Sequence, residues 1–266
     1  MRRSNGVWQL LTGRGAPCLA ASALLLAAAT HAPLACGGAN DNVAEPPMAR
    51  PELSMPPPLP ADTELRRDER TGTVRSLRAA DLSAELREDP EYRRLVEAGR
   101  LGDAALAFVS HYRGLFRLDD PAHELNVESA RTDELGKTHV RLQQSFRGIP
   151  VHGGELLVHL EGGAVYLAQG RYVPTPSTLD VTPTLSRDDA LDAAARALEA
   201  DEARSRFRAE LAIFGDDDGR ARLAYRVVAP VSPLEGWKLM IAADSGEILS
   251  RSPTVYPGSR GPQRKQ

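Results

Sequence analysis

Cysteine is nearly missing from this chain. Only Cys18 and Cys36 occur in 266 residues, and Cys18 sits inside an amino-terminal apolar run, so removal of that run leaves one thiol and no internal disulfide. The fold must then stand on packing alone. Long hydrophobic runs are lacking too. The run Cys18 to Ala29, CLAASALLLAAA, is 12 residues long, whereas a membrane-spanning helix needs about 20. With Arg2 and Arg3 before it and small residues after it, residues 1–36 read as an export signal. Charge of one sign is also scarce: 33 Lys and Arg interleave with 36 Asp and Glu for a formal net charge of −3. No basic face or run is long enough to suggest nucleic acid, and that class of partner is set aside. Catalytic signatures are missing as well. His123-Glu124 is followed by Leu125, Asn126 and Val127, so the second imidazole of an HExxH zinc motif is lacking. There is no GxSxG elbow, no phosphate-binding glycine loop and no thiol placed beside a base. The residues predict no enzyme and no cofactor.

What is present begins at the end of the signal. PLACGG puts Cys36 just after small residues, an arrangement that resembles a bacterial lipobox, although Pro33 stands where Leu is usual and Leu34 comes one place late. The expectation is a lipidated Cys36 that anchors the chain to a membrane, with ordinary signal cleavage near Cys36 as the alternative. Either route exports the protein, as a cell-envelope lipoprotein or an extracellular protein. Between Pro46 and Pro60 there are seven prolines, which fix backbone angles and remove donors, so residues 37–80 read as an extended tether and lead-in. Order is expected to start near Arg75.

Downstream, periodicity takes over. Residues 81–100 are helix-prone and interrupted at Pro90. A helix is predicted from Asp103 to Phe116, with Leu106, Phe108, Val109, Tyr112, Leu115 and Phe116 at spacings of three and four. Strands are predicted near Leu125 to Ala130 and from Thr138 to Arg147, with a turn between them at Glu134 to Lys137. GGELLVHL and AVYLAQGRYV make a further hairpin joined at Glu161-Gly162-Gly163. After the linker VPTPSTLDVTPT, Ser186 and Asp189 form a capping box for RDDALDAAARALEA, whose apolar face is Ala190, Leu191, Ala194 and Leu198. Two strand-turn-strand segments follow. Helix plus antiparallel sheet therefore occurs twice in tandem, an α+β class.

THVRLQQSFRGIPVHGGELLVHLEGGAVYLAQGRYVP resembles the core of the FTP module, the propeptide domain of fungalysin and thermolysin-type secreted metallopeptidases. The residues that carry the likeness are Arg141, Gln143, Gln144, Gly148, Ile149-Pro150-Val151 and Gly153-Gly154. LSRDDALDAA and WKLMIAADSGEILSR resemble the PepSY module that usually follows, with Trp237 as its aromatic and Asp244, Gly246 and Glu247 as its turn. The resemblance implies an FTP-like domain over residues 81–178, a PepSY-like, cystatin-like domain over 179–252, and a flexible tail at 253–266. In that family the modules precede a zinc-protease domain, which they bind, help to fold and keep inactive until they are cut away. The implied function is that of an inhibitor or folding assistant for a thermolysin-like metallopeptidase. Two other readings fit the same residues: a zymogen remnant that has lost its protease, and an envelope-binding module with no peptidase partner.

Several side chains carry their own expectations. Val140, Leu142, Gln144 and Phe146 fall on one face of a strand, with Arg141, Gln143, Ser145 and Arg147 on the other. Gly148-Ile149-Pro150 is expected to end that strand and turn the chain. One glutamine then bonds across the sheet to the turn, and the other, with Arg141, faces outward or toward the second module. Trp237 is expected in the core. FGDDDG, residues 214–219, reads as a hairpin turn, because Phe214 and Tyr225 occupy the end positions of the would-be calcium loop. His139, His152 and His159 lie on neighbouring predicted strands and read as scattered surface imidazoles, with a metal site as the lesser alternative.

Overall fold

The computed structural model describes residues 57–216 and 219–254. The expected export signal, Cys36, most of the expected proline tether and the expected tail from residue 255 lie outside the described residues.

Two short strands open the chain, β1 (Glu64–Arg67) and β2 (Val74–Arg78). Order therefore precedes Arg75, and part of the expected lead-in is sheet. The four side chains of β1 are all exposed, so no alternation marks it. Backbone pairing defines it instead, from Glu64 opposite Arg78 to Arg67 opposite Val74.

A helical layer follows. Asp89 caps α1 (Pro90–Glu97) through bonds from the amides of Glu91 and Tyr92, and Pro90 takes the first helical position, where no amide is needed. Pro90 thus starts a helix. The single helix expected from Asp103 to Phe116 is two pieces, α2 (Leu101–His111) and α3 (Arg113–Phe116). Its buried stripe is Ala104, Ala105, Phe108 and Val109, while Leu106 is only half-buried. The break falls at Tyr112, which packs on Phe108 with ring centroids 5.2 Å apart and donates its hydroxyl to the Leu82 carbonyl at 3.2 Å. A last turn, α4 (Pro121–Glu124), leads into the sheet.

The strands β3 (Leu125–Thr132), β4 (Lys137–Phe146), β5 (Ile149–Glu161) and β6 (Ala164–Arg171) form an antiparallel meander. β2 adds to β6 and β1 to β2. Alternation places Val140, Leu142 and Gln144 of β4 and Leu156, Val158 and Leu160 of β5 inward, all wholly buried. α2 packs against β3, β4 and β5, and Leu77, Phe108, Phe116, Leu142 and Leu156 meet in this first core.

The second half repeats helix on sheet. The Ser186 hydroxyl accepts from the Asp189 amide while the Asp189 carboxylate accepts from the Ser186 amide, the reciprocal box that starts α5 (Arg187–Ala197). A 3₁₀ turn over Asp201–Arg206 leads to β7 (Arg208–Gly215), β8 (Ala221–Pro230), β9 (Gly236–Ala242) and β10 (Ile248–Pro253), again a meander. α5 lies across β7, β8 and β9, and Ala190, Ala194, Phe207, Ile213, Val227 and Leu239 fill a second core. The expected α+β class is what the chain adopts. All these elements fall in one compact unit, and the strands form one ten-stranded arrangement because β5 pairs with β7 as well as with β4 and β6.

Candidate functional site

The residues singled out from Gln143 to Gly154 in RLQQSFRGIPVHGG meet where the two sheets join. β4 and β5 pair regularly up to Gln143 opposite Glu155, then resume at Ser145 opposite Pro150. Between those pairs lie one residue of β4, Gln144, and four of β5, Val151 to Gly154. The four form a wide bulge, and its bend lets Val151 leave β4 and pair in parallel with Ile213 of β7. A bulge leaves main-chain groups without ladder partners. Gln143 supplies them: its amide nitrogen donates to the Val151 carbonyl at 3.0 Å and the Gly154 carbonyl at 2.8 Å. Gly153 makes the bend with a φ of +68°. At Gly154 a Cβ would sit 2.8 Å from the Val151 side chain, so only glycine lets the bulge close.

Gln144 does the same on the inner face. Its amide nitrogen donates to the Val173 carbonyl at 2.8 Å, and its oxygen accepts from the Val173 amide at 3.1 Å. The wholly buried side chain thus imitates a strand and fastens the linker after β6 to β4. Both glutamines bond to backbone, where one was expected. The turn also differs from expectation. It is Arg147-Gly148, with φ of +50° and +79°, a two-residue hairpin of the kind that needs positive φ at both positions. Ile149 and Pro150 already belong to β5, and Pro150 is tolerated as its second residue beside a bulge.

The other named residues sit apart from this joint. Arg141 lies on the open face of the sheet, half exposed, and binds Glu155 at 2.6 Å. Trp237 is half-buried at the rim of the second core; its ring nitrogen donates to Glu235 at 2.9 Å and the Arg251 guanidinium covers its face at 4.0 Å. At the other end of β9, Gly246 takes a φ of +78° and donates to the Ala242 carbonyl, closing the turn to β10. The Ser245 hydroxyl bonded to Asp244 at 2.8 Å, and Arg222 at 3.6 Å, hold that carboxyl below its usual range.

A cleft beside the bulge was not legible in the sequence. Arg75, His152, Gly153, Gly154, Arg171 and Asp216 line it. Arg75 comes from β2 and Arg171 from β6, and Arg70 also lines it from the turn before β2, so the signal that would have found it was the pairing of β2, which the charged lead-in concealed. Burial, then Arg226 and Lys238, push the His152 imidazolium below its ordinary range. The cleft is of mixed charge, with Asp68 and Asp216 beside the arginines. Of the three histidines on neighbouring strands, the structure brings together only His139 and His159, with 2.6 Å between their Nδ1 atoms. His152 stands elsewhere, beside Phe214. Among the described residues no group of three or more His, Cys, Asp or Glu could hold a metal ion, and no helix is long and apolar enough to cross a membrane.

The C-terminal domain of Bacillus megaterium YpeB superposes with a TM-score of 0.30 at 13% identity, over 59% of this chain and 65% of that one, too loosely to bear on function. Sequence relatives say more. Over 157 residues, 54% of this chain, it is 31% identical to thermolysin from Alicyclobacillus acidocaldarius subsp. acidocaldarius. Over 165 residues, 57% of the chain, it is 30% identical to the thermostable neutral protease NprT of Geobacillus stearothermophilus. These alignments cover 28% and 30% of the relatives, so the chain spans less than a third of the length of the curated relatives it matches. Residues 123–172, which run from the end of α4 through β6 and include the bulge and both glutamines, match the Fungalysin/Thermolysin Propeptide Motif.

Proposed function

We propose that this protein acts as a propeptide: it binds the catalytic domain of a thermolysin-like zinc metallopeptidase, inhibits it and assists its folding. The observation that carries the reading is the propeptide-motif match over residues 123–172. The open face of the first sheet offers a surface for such a partner. Arg141, Gln143, Leu157, Tyr166, Leu167 and Gln169 stand there half-buried or exposed, an apolar and polar mixture of the kind protein interfaces use. No catalytic group is required, because a bound domain excludes substrate by occupying space. In this reading residues 179–252 form a PepSY-like second module, and the chain works outside the cytoplasm, held to a membrane through a lipidated Cys36.

The test is a titration of a purified thermolysin-like peptidase with the chain. Saturable inhibition near one-to-one stoichiometry, weakened by Arg141→Ala in a variant that melts like the parent, supports the proposal. Unchanged peptidase activity together with an unchanged refolding yield, across several thermolysin-like enzymes, would falsify it.

A further inference from the structure

We propose that His139 and His159 form a cross-strand site for a divalent metal ion of the zinc, nickel or copper class on the open face of the first sheet. The two residues are directly opposite in the β4–β5 register, where Cβ atoms lie about 4.5–5.5 Å apart. Their Nδ1 atoms face each other at 2.6 Å, with the rings at 79°. Both far nitrogens are already engaged. His139 Nε2 lies 3.1 Å from the Asp133 carboxylate, and His159 Nε2 lies 3.5 Å from the side-chain amide nitrogen of Gln169. A ligating imidazole whose other nitrogen is fixed by a carboxylate or amide is the supporting arrangement that metal-binding histidines use.

The hydrogens can be accounted for without loss of a proton. As the atoms stand, His139 Nε2–H donates to Asp133, which leaves a lone pair on His139 Nδ1. The amide nitrogen of Gln169 donates to His159 Nε2, which leaves the hydrogen on His159 Nδ1, pointing at His139. Half a turn of the Gln169 amide presents its oxygen instead. The His159 hydrogen then moves to Nε2, and two Nδ1 lone pairs converge on one point. A tetrahedral ion bound at about 2.0–2.1 Å needs its nitrogens about 3.3 Å apart, so the gap must widen by about 0.7 Å. Both rings are partly solvated and can swing. The charges around the site offset one another. Lys137 is drawn toward Glu161 at 3.8 Å and the Tyr166 ring at 5.1 Å, and Arg131 lies opposite His139 with Asp133 close by.

Imidazole ligands select borderline ions such as Zn²⁺, Ni²⁺ and Cu²⁺ over Mg²⁺ or Ca²⁺. With two protein ligands the remaining positions fall to water, which makes an exchangeable site that ties β4 to β5. An ion that binds only the folded chain raises its melting temperature by mass action. The experiment is thermal unfolding of the full chain, carrying no affinity tag, in rising ZnCl₂ or NiCl₂ and again after chelator. A saturable, chelator-reversible rise is expected, lost in His139→Gln and in His159→Gln, with affinity weakened roughly 10–100-fold in Asp133→Asn. No rise up to millimolar ion, or an equal rise in both histidine variants, overturns the site. Should either variant fail to fold, ring-nitrogen NMR of the parent chain decides. Zinc must move the Nδ1 resonances of both histidines, and resonances that stay put overturn the proposal.

Discussion

Gln143 and Gln144 are consecutive, so their side chains leave opposite faces of β4, yet both do the work of a missing strand. Their environments differ, and so will the effects of removing them. Gln144→Ala leaves the Val173 amide and carbonyl unpartnered in a buried site, at about 1–3 kcal/mol for each orphaned group. Urea unfolding should show a midpoint well below the parent's. Gln143 is only half-buried, so water can take over its bonds, and Gln143→Ala should lose less than half as much. Arg141→Ala removes an exposed ion pair and should stay within about 0.5 kcal/mol of the parent. Any loss of peptidase inhibition in that variant then reports contact with the partner. Alternation made the two faces of β4 legible from sequence. The turn was misplaced because Gly148 and Pro150 both punctuate, and nothing in an arginine announces that Arg147 will take a φ of +50°.

Elements with a strong period or a cap were legible, and those held by pairing alone were not. α5 is the clear case, announced by Ser186 and Asp189 at a spacing of three. Ser186→Ala should cost about 1 kcal/mol in thermal or urea unfolding. The box also has a pH signature. Hydrogen bonds from Ser186 hold the Asp189 carboxyl below its ordinary 3.8. A group depressed on folding stabilises above its unfolded value and loses that contribution as pH falls through the folded one. Below about pH 4 the parent should therefore lose part of its margin over Ser186→Ala, and acid unfolding curves of the two should approach each other. β1 shows the opposite situation. ELRR has four exposed side chains and no apolar face, so only pairing with the neighbouring β2 defines it, and β2 in turn is held by β6, a partner distant in sequence that leaves no local pattern. The bulge at Val151 to Gly154 was not read from the sequence, where GGELLVHL counted as a regular strand, because the strand it reaches lies about sixty residues on.

At the scale of the molecule, the joint makes the two cores interdependent. Phe146, Val151 and Val173 belong by sequence to the first meander and its exit, yet their side chains sit in the second core with Ala194, Ile213 and Leu239. The end of the β4–β5 hairpin is thus a shared part, and the chain should unfold in a single transition. Two probes can see this. Trp237 is one of two tryptophans in the chain, the other being Trp8, so fluorescence of a Trp8→Phe variant follows the second core alone. Far-ultraviolet circular dichroism follows both. The two curves should superpose in urea, and Val151→Ala, at about 2 kcal/mol for the lost methyls and the cavity, should move both by the same amount. A fluorescence transition that runs ahead of the dichroism would show the cores melting separately. High pH tests the same coupling from both sides. Burial raises the hydroxyls of Tyr92, Tyr112 and Tyr172 in the first core and Tyr225 in the second above their ordinary 10.0. Each contributes stability that is complete below that value and lost as pH climbs toward the folded one. Burial raises Tyr172 furthest, although the Val74 amide that donates to its oxygen pulls the other way. In a shared structure the first buried phenol to ionise brings down the rest. Phenolate absorbance from the buried tyrosines should then appear in one step, above pH 10, together with the loss of Trp237 fluorescence.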